Sequence, residues 1–164
     1  MKLKTIMEQS KSKSNVIMAP NSIKGITNGI FLAGSIEMGK AIEWQKEFIA
    51  ALSDKNIRFL NPRRDDWDSS SEQKIENKQF NEQVSWELKA LELADIIVMY
   101  FDPNTQSPIS LLELGLHARD GKLIVLCPEG FWRKGNVDIV CQRYGIPVFT
   151  DIETAIVKLK SILK

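Results

Sequence analysis

Residues 107–116 read SPISLLELGL, and they follow the apolar run IIVMYF at residues 96–101. A short run that is almost continuously apolar is typical of a strand buried on both faces of a sheet. Loop-forming residues at 102–104, DPN, then end the strand. Ser107 followed by Pro108 predicts a helix start, with serine as the N-cap and proline at the first helical position. The stretch therefore predicts a buried strand, a loop and a helix in immediate succession.

The predicted helix carries a single carboxylate among leucines. It is expected to be mostly buried because it contains Leu111, Leu112, Leu114 and Leu116. A carboxylate in such a helix is costly unless something uses its charge. Open α/β sheets bind ligands just beyond the carboxyl ends of their strands, where Glu113 is expected to lie. Glu113 is therefore either a functional group or a satisfied residue on the rim of the helix.

The composition indicates one soluble domain. The chain has 164 residues, 43% of them hydrophobic, and a formal net charge of +1, which suits a single core. Near-neutral charge gives no reason to expect binding to a nucleic-acid polymer or a membrane surface. No apolar run is long enough to span a bilayer, and no secretory signal is recognisable. Cys127 and Cys141 follow no metal-binding spacing, so a reduced, cytoplasmic setting is expected.

Strands and helices alternate along the rest of the chain. After an arm at residues 1–28, with an edge strand at 16–18, strands are predicted at 30–33, 57–60, 96–101, 123–126 and 146–149. Helices are predicted at 41–52, 73–93, 107–119 and 151–163, with a loop and short helix at 131–144. This order predicts a mostly parallel sheet covered on both faces, a three-layer α/β sandwich spanning residues 29–164.

A glycine-containing loop at residues 34–39 follows the first buried strand and precedes a helix. Glycine lets a ligand approach the backbone, and a helix N-terminus favours an anion. The spacings of dinucleotide-binding and P-loop motifs are absent, so neither a dinucleotide nor a nucleoside triphosphate is expected. An ordinary strand-to-helix turn is the alternative interpretation of this loop.

The second candidate loop, NPRRDDWD at residues 61–68, also follows a strand end. Its two arginines are suited to pairing with a phosphate or with the adjacent aspartates. Trp67 is suited to stacking on a base. Taken alone, the loop is more simply explained as a solvated cluster of ion pairs.

The long helix at 73–93 supplies a possible second carboxylate, Glu87, with Gln83 one turn earlier. Its apolar stripe is predicted at Phe80, Val84, Leu88 and Leu91. A solvated glutamate is the common case on a helix, so Glu87 matters only if it pairs with Glu113. The lone His117 is expected at the helix surface or behind the site, and without a Cys/His cluster no zinc site is expected.

Taken together, these stretches resemble the nucleoside 2-deoxyribosyltransferase-like superfamily, which is related to deoxynucleoside 5′-monophosphate N-glycosidases. The resemblance covers about residues 30–149. Its carriers are FLAGSI at 31–36, Trp44 and Gln45, NPRRDDWD at 61–68, Phe80, Gln83, WEL at 86–88, AD at 94–95, and residues 107–115. It implies a flavodoxin-like sandwich, homo-oligomers, and chemistry at the glycosidic bond of a nucleoside or nucleotide, with no metal or organic cofactor.

The resemblance also implies roles for individual residues. The catalytic glutamate of the family, in its E-L-G motif, falls on Glu113, and the acid eight residues before the strand-entry aspartate falls on Glu87. The nucleotide hydrolases have a phosphate-binding serine six residues before the catalytic glutamate, which falls on Ser107. Their Gly-Ser-Ile loop matches residues 34–36. Relatives carry a tyrosine in the first strand that orients the glutamate, whereas this chain has Phe31.

These inferences give one hypothesis of a retaining mechanism. Glu113 attacks the sugar C1′ as a carboxylate, kept ionised by a nearby helix N-terminus. Glu87, or an aspartate of the second loop, positions or protonates the leaving base. The predicted substrate-binding residues are Gly34, Ser35, Ile36, Arg64, Asp65, Asp66, Trp67, Ser107 and Ser110. The alternative is a nucleotide-binding sensor that does not cleave its ligand, favoured by Phe31 in place of tyrosine.

Overall fold

The computed structural model describes residues 15–36, 43–64 and 66–163. Its strands are β1 (Val16–Met18), β2 (Gly29–Gly34), β3 (Arg58–Asn61), β4 (Ile96–Tyr100), β5 (Leu123–Leu126) and β6 (Val148–Phe149). Its helices are α1 (Trp44–Ala51), α2 (Lys78–Leu93), α3 (Pro108–His117), α4 (Lys134–Tyr144) and α5 (Ile152–Ile162). Within the described ranges all strand pairs are parallel, in the order β1-β3-β2-β4-β5-β6.

Helices cover both faces of the sheet, which confirms the predicted three-layer sandwich. Successive residues of a strand point to opposite faces, so Phe31 packs with α2, α3 and α4, whereas Ile30 and Leu32 pack with α1 and α5. β2 and β4 are buried along nearly their whole length. This explains why both strands read as continuous apolar runs in the sequence.

The connections reverse direction between β2 and β4. From β2 the chain passes through α1 to β3 on one side, and from β4 it passes through α3 to β5 on the other. Two neighbouring parallel strands whose connections diverge leave a crevice at their carboxyl ends, which is the usual ligand site of open α/β sheets. Residues 34–36 and 101–107 flank this crevice.

Two element boundaries differ from the predictions for local reasons. α2 begins at Lys78 and not near residue 73, because the side chain of Asn77 accepts a hydrogen bond from the Phe80 N–H at 3.1 Å and caps the helix. α4 is a regular helix over most of the segment 131–144. Residues 1–14 of the predicted arm and 41–42 of the predicted first helix lie outside the described residues, and the division at residue 28 stays a prediction.

The prediction that the leucines bury α3 is wrong. Leu112 is 60% exposed and Leu116 is 55% exposed. The buried side chains of the helix are those of Ser110, Glu113, Leu114 and His117. These positions recur at helical spacing and define the face toward the core. Leucine content therefore identified a helix but not the face that it buries.

The buried face of α2 was likewise predicted on the wrong side of the helix. Val84 and Leu88, predicted on the apolar stripe, are 36% and 42% exposed. The buried positions are Gln83, Trp86, Ala90 and Leu91. A glutamine and a tryptophan, which the predicted stripe did not include, thus occupy the inward face of the helix.

Candidate active site

Three buried hydroxyl groups meet at the carboxyl ends of β2 and β4. The Oγ of Ser35 lies 2.5 Å from the Oγ of Ser107 and 2.9 Å from the Oγ1 of Thr105. The Thr105 and Ser107 oxygens are 2.7 Å apart. The backbone N–H of Asp102 donates to the Ser35 Oγ at 2.9 Å. We call Ser35, Thr105 and Ser107 the hydroxyl cluster; it can donate and accept hydrogen bonds at the crevice.

A glycine places Ser35 in the hydroxyl cluster. Gly34 has φ +126°, and a Cβ at this position would overlap the backbone oxygen of Tyr100. Because no side chain intervenes, the Ser35 N–H donates to that oxygen at 2.9 Å. Trp44 of α1 donates from Nε1 to the Ser35 carbonyl at 3.2 Å. The strand end is therefore held between β4 and α1, while Ile36 beyond it is exposed.

Ser107 does not cap α3 as its sequence position predicted. It occupies the N-cap position in the left-handed conformation, with φ +48°, and its side chain makes no capping hydrogen bond. Its hydroxyl instead joins Ser35 and Thr105. Ser110, in the first turn of α3, is also buried. The N-terminus of α3 and the hydroxyl cluster thus lie next to each other, an arrangement suited to an anionic or polyhydroxylated ligand.

Glu113 and Glu87 form a carboxylate pair between α3 and α2. Glu113 is only 7% exposed. Burial, and secondarily the charge of Glu87, raises the pKa of Glu113 to about 8. Burial also raises the pKa of Glu87, against a hydrogen bond from Gln83 that lowers it. The structure thus brings together the two acids that the sequence predicted as partners.

The expected ionisation of Glu113 by a helix N-terminus is wrong. Glu113 is the sixth residue of α3, beyond the first turn where the helix dipole acts. With the raised pKa, its carboxyl group holds a proton at neutral pH in the free protein. Burial and a like-charged neighbour outweigh the dipole because both act directly on the carboxyl group.

Gln83 positions the second acid. Its Nε2 donates to the Glu87 Oε1 and to the Pro62 carbonyl, each at 2.8 Å. These two bonds connect α2 to the loop that follows β3. The carboxylate of Glu87 is therefore fixed relative to the carboxyl end of a second strand.

The loop after β3 uses its charges mainly within itself. The guanidinium of Arg64, whose side chain is 9% exposed, lies 2.7 Å from Asp66 and 2.9 Å from Glu82 of α2. The carboxylate of Asp66 is largely exposed, and Trp67 is partly buried. Asp65 lies outside the described residues. Arg64 ties the loop to α2, and substrate contacts of this loop stay predictions.

Arg63 and Gln45 form a polar contact that the sequence did not predict. Arg63 donates from Nε to the Gln45 Oε1 at 3.1 Å, and its backbone N–H donates to the Asn61 Oδ1 at 3.0 Å. The Arg63 Nη2 and Gln45 Nε2 atoms are buried and have no hydrogen-bond partner. Gln45 stands among the residues that carry the family resemblance, and Arg63 is one of the two arginines predicted to pair with a phosphate or with the adjacent aspartates.

The remaining candidates do not join the site. His117 is buried at the far end of α3, with its Nδ1 2.7 Å from the Asp120 carboxylate. Cys127 and Cys141 are buried free thiols. Within residues 15–36, 43–64 and 66–163, no cluster of His, Cys, Asp or Glu is arranged to hold a metal ion. None of the described helices is both long and apolar enough to cross a membrane.

Comparison with known proteins agrees with this geometry. Residues 27–131 match the family model described as nucleoside 2-deoxyribosyltransferase like. A search of curated proteins gave no match. The matched segment includes the hydroxyl cluster, Glu87 and Glu113, and it covers more than half of the chain. The chain therefore belongs to the nucleoside 2-deoxyribosyltransferase-like family.

Proposed function

We propose that this protein cleaves the N-glycosidic bond of a nucleoside or a nucleoside 5′-monophosphate, with Glu113 as the nucleophile. The observation that carries the proposal is the pairing of the buried Glu113 with the partly buried Glu87, on the helices beside the crevice between β2 and β4. Most enzymes that cleave a glycosidic bond use two carboxyl groups, and shifted pKa values are typical of such catalytic groups. Membership of the family supports the same chemistry.

In the first step, a Glu113 oxygen forms a bond to the sugar C1′ while the C1′–N bond breaks. The electron pair of the broken bond passes to the base nitrogen. Glu87 gives its proton to the base, so the base leaves neutral and Glu87 becomes ionised. The product on the protein is an ester between Glu113 and the sugar.

In the second step, an acceptor releases the sugar from Glu113. A water oxygen, or a nitrogen of a second base, bonds to C1′ as the ester bond breaks. The acceptor gives its proton to Glu87, and Glu113 leaves as a carboxylate. The pair returns to its starting state with one proton, which makes a hydrolase and a transferase variants of the same cycle.

The raised pKa values supply the proton that this cycle needs. A buried pair of carboxyl groups keeps one proton at a pH where two solvated carboxyl groups would both be ionised. Attack requires this proton on Glu87 and a negative charge on Glu113. Positive charge that develops at C1′ favours that arrangement because it stabilises the carboxylate of the nucleophile.

The hydroxyl cluster and the N-terminus of α3 are proposed to hold the 5′-phosphate or the sugar. Ser107 precedes Glu113 by six residues, about 9 Å along a helix, and Ser35 lies beside Ser107. Gly34, Ile36 and Ser110 complete this side of the crevice in the proposal. Trp67 and the acidic residues of its loop are proposed to contact the base.

We also expect a cytoplasmic homo-oligomer, dimer or larger. Ile109, Leu112 and Leu116 are 59%, 60% and 55% exposed and share one side of α3. An apolar stripe of this kind is typical of a surface that another protein covers. Light scattering of the Leu112→Glu variant tests the expectation. A charge in the interface should dissociate the oligomer and so lower the measured molar mass. Val157→Glu, on the opposite layer, is the matched control and should keep the mass of the wild type.

Product analysis tests the activity itself. We would incubate the protein with ribo- and deoxyribonucleosides and their 5′-monophosphates, with and without a second base, and separate the products chromatographically. Release of free base that Glu113→Gln abolishes supports the proposal. Full turnover by Glu113→Gln contradicts the assigned nucleophile, and full turnover by Glu87→Gln contradicts the assigned acid.

Phe31 favours a second candidate function. It packs against Trp86, with ring centroids 6.3 Å apart, and supplies no hydroxyl group to orient Glu113. A protein of this kind could bind a nucleotide as a sensor without cleaving it. Ligand would then raise the melting temperature by mass action yet be recovered intact.

A further inference from the structure

Two buried donors beside the crevice have no acceptor. The Arg63 Nη2 and the Gln45 Nε2 are both buried without a hydrogen-bond partner. A hydrogen bond of 3.1 Å between the Arg63 Nε and the Gln45 Oε1 holds the two side chains together. Gln45 is only 1% exposed. The two groups therefore form one donor pair, which we call the Arg63–Gln45 pair.

The unmet donors are energetically expensive. A buried donor left without an acceptor lowers stability, and more so when the group is charged. Arginine cannot avoid this cost by losing its proton. Native structures seldom leave such groups unexplained, and a missing acceptor is a common explanation. The pair is therefore suited to receiving an oxygen atom from a ligand.

The loop that carries Arg63 is joined to Glu87 through Gln83. Arg63 follows Pro62, whose carbonyl accepts a hydrogen bond from the Gln83 Nε2 at 2.8 Å. The same nitrogen donates to Glu87 at 2.8 Å. The hydroxyl cluster lies instead between β2 and β4, at the N-terminus of α3. In the proposed function the sugar or phosphate binds the cluster and the base lies at Glu87, so the loop that carries Arg63 is the one joined to the base side of the site.

We propose that the Arg63–Gln45 pair binds a carbonyl oxygen of the leaving base, so that the site selects oxo bases over amino bases. This inference rests on the proposed function. Hypoxanthine carries an oxygen where adenine carries an amino group, which would place its own donors against Arg63 and Gln45. A site built to hydrogen-bond one substrate group rejects an analogue that lacks it, because buried polar groups are then left unpaired.

The pair would also assist the cleavage. When the C1′–N bond breaks, its electron pair spreads from the ring nitrogen onto the carbonyl oxygen of an oxo base. A guanidinium donor at that oxygen stabilises the developing charge. Loss of one such donor costs about 10²–10³ in rate in other enzymes. Selectivity and rate should therefore fall together when Arg63 is replaced.

The test compares substrates that differ at one position. We would measure kcat/KM for deoxyinosine and deoxyadenosine, and for their 5′-monophosphates, with the wild type, Arg63→Gln and Gln45→Met. Arg143→Gln, at an exposed position of α4, is the matched control. We expect Arg63→Gln to lower kcat/KM about 100-fold for the hypoxanthine substrates and little for the adenine substrates. Gln45→Met should act in the same direction, and Arg143→Gln should change neither.

Other outcomes overturn the inference. Equal losses for hypoxanthine and adenine substrates would give the pair no role in choosing the base. Losses confined to the 5′-monophosphates would assign it to the phosphate. Circular dichroism distinguishes these results from misfolding. If Arg63→Gln does not fold, Gln45→Met provides the same test.

Binding measurements separate this inference from the proposed function. If no substrate releases its base, thermal shifts with inosine and adenosine 5′-monophosphates replace the kinetics. Stronger stabilisation by the inosine compound, lost in Arg63→Gln, supports the inference while the proposed cleavage fails. Equal stabilisation by both compounds, or by neither, overturns the inference.

Discussion

Replacing Glu113 by glutamine should stabilise the protein in a manner that depends on pH. Burial and the charge of Glu87 raise the pKa of Glu113 from 4.5 to about 8. Between these values the folded protein keeps a proton that the unfolded chain has lost. The free energy of unfolding of the wild type therefore falls as pH rises through this interval. A neutral amide has nearly the same shape and does not titrate, so Glu113→Gln escapes this loss.

The magnitude follows from the same pKa. Each pH unit between the unfolded and folded values is worth 1.36 kcal/mol. At pH 7 the protonation of Glu113 therefore costs the wild type about 3 kcal/mol, and at pH 5 it costs less than about 1 kcal/mol. For a chain of this size, 1 kcal/mol corresponds to roughly 2–4 °C in melting temperature. The variant should thus melt about 6–12 °C above the wild type at pH 7.

Urea unfolding at pH 5 and pH 7 measures the difference. The matched control is Glu92→Gln, at an exposed position of α2. We expect Glu113→Gln to gain most of its stability only at pH 7, and Glu92→Gln to follow the wild type at both values. An equal gain at both pH values, or none, would refute the assignment of a buried, proton-bearing carboxyl group. Loss of base release in the same stable variant would show that stability was sacrificed for function.

Three further predictions concern the crevice. The rate of base release should fall as pH rises through about 8, because the carboxyl pair then loses the single proton that the leaving base needs; a pH–rate profile checks this. Gly34→Ala should destabilise the protein severely, since its Cβ would overlap the Tyr100 backbone; thermal melting measures the loss, and an unchanged melting temperature contradicts it. Ser107→Ala should weaken binding of a nucleoside 5′-monophosphate more than binding of the nucleoside, as measured by calorimetry; equal weakening would remove the phosphate from Ser107.

The sequence predicted the sheet well because its strands are buried on both faces. IIVMYF at residues 96–101 contains β4, and the apolar run at 30–33 lies within β2. The edge strand β1 also lies where it was predicted, at Val16–Met18. Their short length, their β-branched and aromatic residues and the turn residues that bound them favour a strand over a buried helix. The carboxyl ends of these predicted strands were therefore enough to predict where the crevice lies.

The prediction of the site was limited in two ways: the sequence did not show which side of each helix is buried, and it did not show contacts between residues far apart in the chain. A helix with apolar residues on most sides does not reveal which side is buried, so Leu112 and Leu116 were placed in the core. Thr105 joined the site only because the loop folds back on Ser35, 70 positions away. The Arg63–Gln45 pair joins β3 to α1 across 18 positions, and no spacing rule predicts it. The proton on Glu113 likewise depends on burial, which the sequence pattern assigned to its neighbours.

The orientation of α3 connects these errors to the function. A helix chosen only for stability would bury Leu112 and Leu116 and expose Ser110 and Glu113. This helix does the reverse and buries Ser110 and Glu113 while Leu112 and Leu116 are exposed. Burying Glu113 costs folding free energy. Exposing the leucines also gives up the stabilisation that their burial would provide. A site that needs a desolvated carboxyl group explains the first cost, and a second protein surface over the leucines explains the other. Catalysis and self-association would then be two consequences of one rotation of α3 about its axis.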